Sequence, residues 1–291
     1  MNNKKSYLYA AISIFFWAST ATLTKLLLAE LNTIQIMCVS SFFAATVLFI
    51  INAYNKKLPL IKQYKSPDYI RLFLLGLLGI FSYCLFLYGA LSYLPAQVAF
   101  IINYLWPVMI VIFAALLLKE KLTLNKIIAI ALSFFGIIIV VTEGSFQVFR
   151  LSNPLGLLLA FLAAISYGLF SVIVKKHNYD ASISMMFYYA SAFTLSALLT
   201  FFHYGLPPLK TFQFLGLVFN GVFNSALAFT CWALALQHGE THKVANLVFV
   251  TPFLSLVYIY LFLNEEISLY SIVGLIIIVI GILLQNKERK A

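Results

Sequence analysis

Long apolar runs alternate with short polar turns along the whole chain. Ten such runs lie near residues 7–28, 34–53, 71–92, 97–118, 125–142, 154–174, 182–203, 212–236, 243–263 and 269–286. About 20 apolar residues in helical form cross the hydrocarbon core of a bilayer. A segment in lipid must satisfy its own backbone polar groups, so each run predicts a helix. The longest polar connections, about 54–70 and 143–153, are too short to fold alone. The predicted fold is therefore all-α integral membrane, with residues 1–291 forming a single membrane domain.

The pattern also repeats. Gly76, Ala90, Leu91, Pro107, Leu118, Glu120 and Gly136 recur 145 positions later as Gly221, Ala235, Leu236, Pro252, Leu263, Glu265 and Gly281, with Thr123 falling on Ser268. Trp17 and Lys25 are echoed at an offset of 150 by Tyr167 and Lys175. The chain thus reads as two repeats, about 1–145 and 150–291, each of five transmembrane helices. An odd number of crossings makes the second repeat enter from the opposite face, so the two are inverted. Inverted repeats are a common architecture of secondary transporters, with the substrate site at their interface.

Composition agrees: 63% of residues are hydrophobic and 10% charged, against about 25% charged in soluble domains. The net charge of +10 is distributed by side. With the N-terminus inside, 16 of the 19 Lys and Arg fall on cytoplasmic segments, leaving Lys25, Arg150 and Lys210 outside. This is the positive-inside pattern, so both termini are expected in the cytoplasm and the chain in the plasma (inner) membrane. The basic surplus predicts contact with anionic membrane lipids and no nucleic-acid partner. Cys38, Cys84 and Cys231 have no paired spacing and read as apolar fillers. Lys4 and Lys5 before the first run mimic a signal peptide, but that run is long and lacks a small-residue cleavage pattern.

No Asp, Glu, Lys or Arg lies in the central turns of a predicted span. Embedded charges are costly and usually mark ion paths. Their absence at mid-span favours a neutral or zwitterionic small-molecule substrate. The uncharged polar and aromatic residues there are Trp17, Ser19 and Thr20 in span 1, Tyr83 and Tyr88 in span 3, and Asn103 to Pro107 in span 4. Spans 6, 8 and 9 add Tyr167, Asn220, Asn224, Trp232, Asn246, Thr251 and Pro252. Pro107 and Pro252 cannot donate to the carbonyl four residues back, which leaves those of Asn103 and Val248 to other partners. The asparagines line a cavity or tie helices together; sequence leaves both open. Among the tryptophans, Trp106 is the strongest wall candidate, whereas Trp232 sits nearer a span end. Small residues including Ala129, Ser133, Gly136, Gly274 and Gly281 predict close helix packing within the monomer or in a homodimer. Glu265 and Glu266 read as solvated in a short outer loop.

His238 and His242 in His-Gly-Glu-Thr-His are four apart as in the zinc-protease His-Glu-x-x-His, but the glutamate is out of position and the segment lies at a membrane boundary, so no metal is expected. No nucleophile elbow, phosphate loop or dinucleotide fingerprint occurs, and the reading is a non-enzyme without cofactors. An intramembrane enzyme on a lipid-linked substrate and a channel-like pore are the rivals of other classes.

"Pro…Leu-Lys-Glu-Lys-Leu-Thr…Gly" in the first half and "Pro…Leu-Asn-Glu-Glu-Ile-Ser…Gly" in the second resemble the EamA-type drug/metabolite transporter (DMT) superfamily. Within it, Asn103-Tyr104-Leu105-Trp106-Pro107 resembles the aromatic amino acid exporter branch. The resemblance implies a central cavity between spans 1, 3, 4, 6, 8 and 9 and export of small metabolites by alternating access, amino acids first. A drug, cofactor or nucleoside-type carrier of the same fold is the alternative. It places function on Asn103, Trp106, Pro107, Thr251 and Pro252, and assigns Glu120 and Glu265 to closing their helices and tethering adjoining loops.

Overall fold

The computed structural model describes residues 3–143, 153–205, 210–238, 244 and 247–286. These form ten helices: α1 (Asn3–Leu28), α2 (Thr33–Tyr54), α3 (Ser66–Tyr93), α4 (Ala96–Leu118), α5 (Leu124–Thr142), α6 (Pro154–Val174), α7 (Ala181–Tyr204), α8 (Thr211–His238), α9 (Val250–Leu263) and α10 (Leu269–Asn286). The protein is an all-α membrane protein of ten transmembrane helices in two inverted five-helix repeats. Leu116, Phe201 and Leu269 are among many large apolar side chains pointing outward, the arrangement expected where lipid is the solvent.

Local chemistry sets the helix ends. Asn32 starts α2 with a reciprocal capping box, its side chain accepting from Gln35 N at 2.9 Å while its own N–H donates to Gln35 Oε1 at 3.2 Å. Asp180 caps α7 by accepting from Ser182 N and Ile183 N. Lys119 and Asn264, 145 residues apart, end α4 and α9 in the left-handed conformation at φ of 55° and 53°. Helix α3 begins earlier than the expected 71. Pro67 fits its first turn, and Asp68 accepts from Lys65 N at 2.8 Å. The described part of α9 starts at Val250 rather than 243. Val244 and Leu247 are themselves helical, and Val244 is buried against Ala10 and Ala235, so the expected span is interrupted at 248–249.

Ion pairs between loops show the inversion directly. Glu30, between α1 and α2, pairs with Lys210, just before α8, at 2.9 Å. Its counterpart Asp180, between α6 and α7, pairs with Lys57, just after α2, at 2.8 Å. Because α2 crosses the molecule, equivalent loops of the two repeats lie on opposite faces. Packing obeys the same pseudo-twofold axis: α3 lies on α6 as α8 lies on α1, and α4 lies on α6 as α9 lies on α1. The mates α2 and α7 pack together at one flank, α5 and α10 at the other.

Repeated glycines make these crossings possible. A Cβ on Gly76 would meet Tyr188 backbone at 2.8 Å, and one on Gly221 would meet Ser40 O at 2.3 Å. Gly136 lies against Gly274 O, and Gly281 against Ala129 O. The small-residue stripe is therefore spent inside the chain, on the α5–α10 crossing, and is not left for a second copy. Hydroxyls bind carbonyls of neighbouring helices: Ser255 to Ala18 O at 2.9 Å, Ser13 to Ala228 O at 2.9 Å and Ser166 to Leu78 O at 2.6 Å.

Gly136→Val should destabilise the purified protein by about 1–3 kcal/mol, because a backbone carbonyl at the contact cannot move aside. Gly89→Ala, where the nearest foreign atom is a Leu159 methyl at 3.1 Å, should be much milder. Thermal unfolding in detergent compares them; equal midpoints would refute the crossing.

Candidate functional site

Helical regularity fails at a few places, and the main failures surround one cavity. Helix α3 is π-helical over Leu77–Ser82 and α8 over Asn220–Leu227, equivalent stretches of the two repeats. A π turn widens the helix and re-aims its side chains, and such turns recur at functional sites. Helix α4 breaks between Asn103 and Trp106, and the chain turns at Val248 and Phe249 just before α9. The Val248 carbonyl, which Pro252 cannot serve, finds its other partner within the chain. The backbone tightens there, and Thr251 N donates to that oxygen at 3.0 Å. The break in α4 is closed likewise by Leu105 N on Ile102 O at 3.0 Å.

The cavity measures about 950 Å³, at the upper end for small-molecule sites. It runs from Tyr88, Asn220 and Asn224 at its depth to Glu120, Lys121, Lys126 and Lys175 at its mouth. Those four are the only charged residues among the described lining, so the deep part is neutral. One aromatic wall comes from α1 and α8. The Trp17 ring centroid lies 5.4 Å from that of Trp232 and 5.2 Å from that of Phe229. The facing wall comes from α3, α4 and α6, with Tyr167 5.4 Å from Trp106 and 5.1 Å from Tyr83.

A polar chain threads the floor. Ser19 Oγ donates to Asn224 Oδ1 at 3.1 Å, Asn224 Nδ2 to Asn220 Oδ1 at 3.4 Å, and Asn220 Nδ2 to Tyr88 OH at 3.2 Å and Ser40 Oγ at 3.3 Å. On the other wall Asn103 Nδ2 donates to Tyr83 OH at 3.2 Å. Asn103 Oδ1 and Thr251 Oγ1 are buried without a partner, and both residues line the cavity. A buried acceptor left unpaired costs about 1–3 kcal/mol, and since neither atom has accessible surface in this conformation, a ligand reaches them only after their side chains turn.

Of the sequence candidates, Trp17, Tyr83, Asn103, Trp106, Pro107, Tyr167, Asn224 and Thr251 lie together on the lining. Pro252 is buried but off the wall, and Asn246 falls outside the described residues. Trp232 joins the wall although it sits near a helix end, because the cavity opens at that end. Tyr189 of α7 and Phe229 of α8 also line it. No proline, asparagine or repeat match marked them in the sequence.

The lining stops short of the opposite end. Glu265 is not simply solvated there: its carboxylate accepts from Ala96 N at 2.9 Å and Gln97 N at 3.4 Å.

Comparison with known proteins places this geometry. The model of the EamA-like transporter family matches residues 4–142 and again 154–286. An uncharacterized transporter of Archaeoglobus fulgidus is 23% identical over 98% of this chain and 100% of its own. The uncharacterized transporter YvbV of Bacillus subtilis is 27% identical, with 99% and 93% covered. A solved structure titled only "Crystal structure of protein" superposes with a TM-score of 0.67 at 21% identity, covering 97% of this chain and 96% of the other. At that identity the likeness speaks for fold alone.

All three tryptophans of the chain line the cavity, so emission excited selectively from tryptophan reports on it. Acrylamide, which is water-borne, should quench that emission steeply in the purified protein. Quenching as weak as for lipid-buried tryptophan would mean the walls do not face an aqueous space.

Proposed function

The chain belongs to the EamA-like transporter family, and we propose that it carries small neutral or zwitterionic metabolites, hydrophobic and aromatic amino acids first, by alternating access. The observation that carries this reading is the neutral cavity itself, with two aromatic walls, an amide floor and a mouth at one end. Flat apolar side chains fit between the walls. A substrate ammonium is met by the tryptophan faces on the lining.

Direction and placement follow from charge and resemblance. The lysine-rich mouth takes the cytoplasmic side under the positive-inside rule, with both termini on it and the chain in the plasma (inner) membrane. The resemblance of Asn103 to Pro107 to aromatic amino acid exporters supports export. Loading from the cytoplasm then takes place in the conformation described here.

Counterflow of labelled amino acids into proteoliposomes tests the assignment. Saturable exchange of hydrophobic and aromatic amino acids is expected, and Trp106→Ala should cut it roughly tenfold, equivalent to about 1.4 kcal/mol. Flux of drugs, cofactors or nucleosides without any amino acid flux would replace the substrate class. Flux that neither saturates nor exchanges would identify a pore.

A further inference from the structure

A second concavity lies away from the central cavity, on the outer surface between α3 and α7. It measures about 420 Å³ and is lined by Tyr69, Ile70 and Phe73 of α3 and by Phe187, Ala190 and Thr194 of α7. Its floor is the contact between the two helices. Ser191 lines it there, and a Cβ on Gly76 would stand 2.7 Å from the Ser191 Cβ. The helices can approach no further, so packing alone cannot close the groove. Its hydroxyls are spent on their own helix, Ser191 on Phe187 O at 2.7 Å and Thr194 on Ala190 O at 2.8 Å. What remains is hydrocarbon and ring surface, which loses contact energy unless an apolar group fills it.

The groove begins at the membrane boundary on the side that carries the cavity mouth. Tyr69 stands at that end, its ring 5.8 Å from Phe187 and its hydroxyl donating to Ile61 O at 3.0 Å. This bond holds the short 3₁₀ helix Leu58–Gln63 beside the rim. Nearby cations are neutralised by protein, Lys57 by Asp180 at 2.8 Å and Arg71 by Asp68 at 3.1 Å. Lys62, on the 3₁₀ helix, and Lys65, just after it, are exposed and form no ion pair among the described residues. Two positive charges without a partner thus stand by the head of an apolar slot that runs inward from Tyr69 to Thr194.

We propose that this groove binds an anionic phospholipid, with one acyl chain in the slot between α3 and α7 and the phosphate at Lys62 and Lys65. Charge decides the occupant. A zwitterionic lipid brings a cation of its own to the lysines, and an uncharged apolar molecule leaves them unanswered. A second copy of this chain seated here about a twofold axis would set Lys62 and Lys65 against their own counterparts. Anionic headgroups attract juxtamembrane lysines, and the slot adds a place for the chain. Helix α3 belongs to the first repeat and α7 to the second, so the lipid lies on the seam between them.

The site needs neither the amino acid assignment nor alternating access, and its test uses no transport. The purified full-length protein is stripped of lipid and titrated with phosphatidylglycerol or phosphatidylcholine of identical chains. Native mass spectrometry then reads the first lipid retained. The parent should retain phosphatidylglycerol in preference. Lys62→Gln and Lys65→Gln should each lower that retention about fivefold and leave phosphatidylcholine unchanged. Ala190→Phe, which fills the slot from a half-buried position, should lower retention of both lipids. If that variant does not fold, Thr194→Phe, on the exposed rim, takes its place. Equal retention of the two lipids by the parent, or parental phosphatidylglycerol retention in both lysine variants, would overturn the headgroup site. Parental retention in the folded slot-filling variant would overturn the groove.

Discussion

Hydrocarbon offers no partner to a backbone N–H or C=O, and this single constraint organises the molecule. It makes every crossing a helix and turns each departure from helix into a structural expense that needs a local answer. The departures at Leu77–Ser82, Asn220–Leu227, 103–106 and 248–249 are grouped about the cavity, while a further π segment, Thr200–Tyr204, ends α7 away from it. Protein groups stabilise three of the four about the cavity: Ser166 on the Leu78 carbonyl, and tightened turns at Ile102 and Val248. The same rule explains the turn between α3 and α4, where Lys25 and Glu265 complete both helix ends.

The frame is symmetric and its chemistry is not. Equivalent glycines, left-handed helix ends and π segments recur in both repeats, because these set how backbones cross. The cavity side chains diverge. Trp106 corresponds to Thr251, Asn103 to Val248, and Asn224 to Gly79. A twofold frame supplies two related conformations, whereas a small asymmetric solute asks for a wall with different groups on its two sides. Separating the two lets a duplicated scaffold bind something that has no symmetry of its own.

Much of this was legible in the chain. Ten apolar runs, the 145-residue register and the charge distribution state the fold class, since they follow from bilayer thickness and from helical geometry alone. Pro107 and the neighbouring Asn103 and Trp106 marked a site because a proline and an amide at membrane depth both require explanation. Tyr189 and Phe229 carried no such mark, as an aromatic residue in a lipid-spanning helix looks the same whether it faces lipid or a cavity. Trp232 looked peripheral by counting residues to the helix end; the open mouth brings that end into the wall. Glu265 read as solvated because loop position says nothing of the N–H groups 169 residues earlier that it binds.

Sequence by itself therefore determined the number of crossings, their alternation and the duplication, all properties of hydropathy and spacing along one dimension. Only the tertiary structure decided which polar atoms stay unpaired, which aromatic faces meet across the cavity and at which end it opens. Those depend on helix rotation and on contacts between residues more than a hundred positions apart. Lys25 and Glu265 stand 240 residues apart as text, and only the fold sets them on the two helix ends of one turn, between α3 and α4.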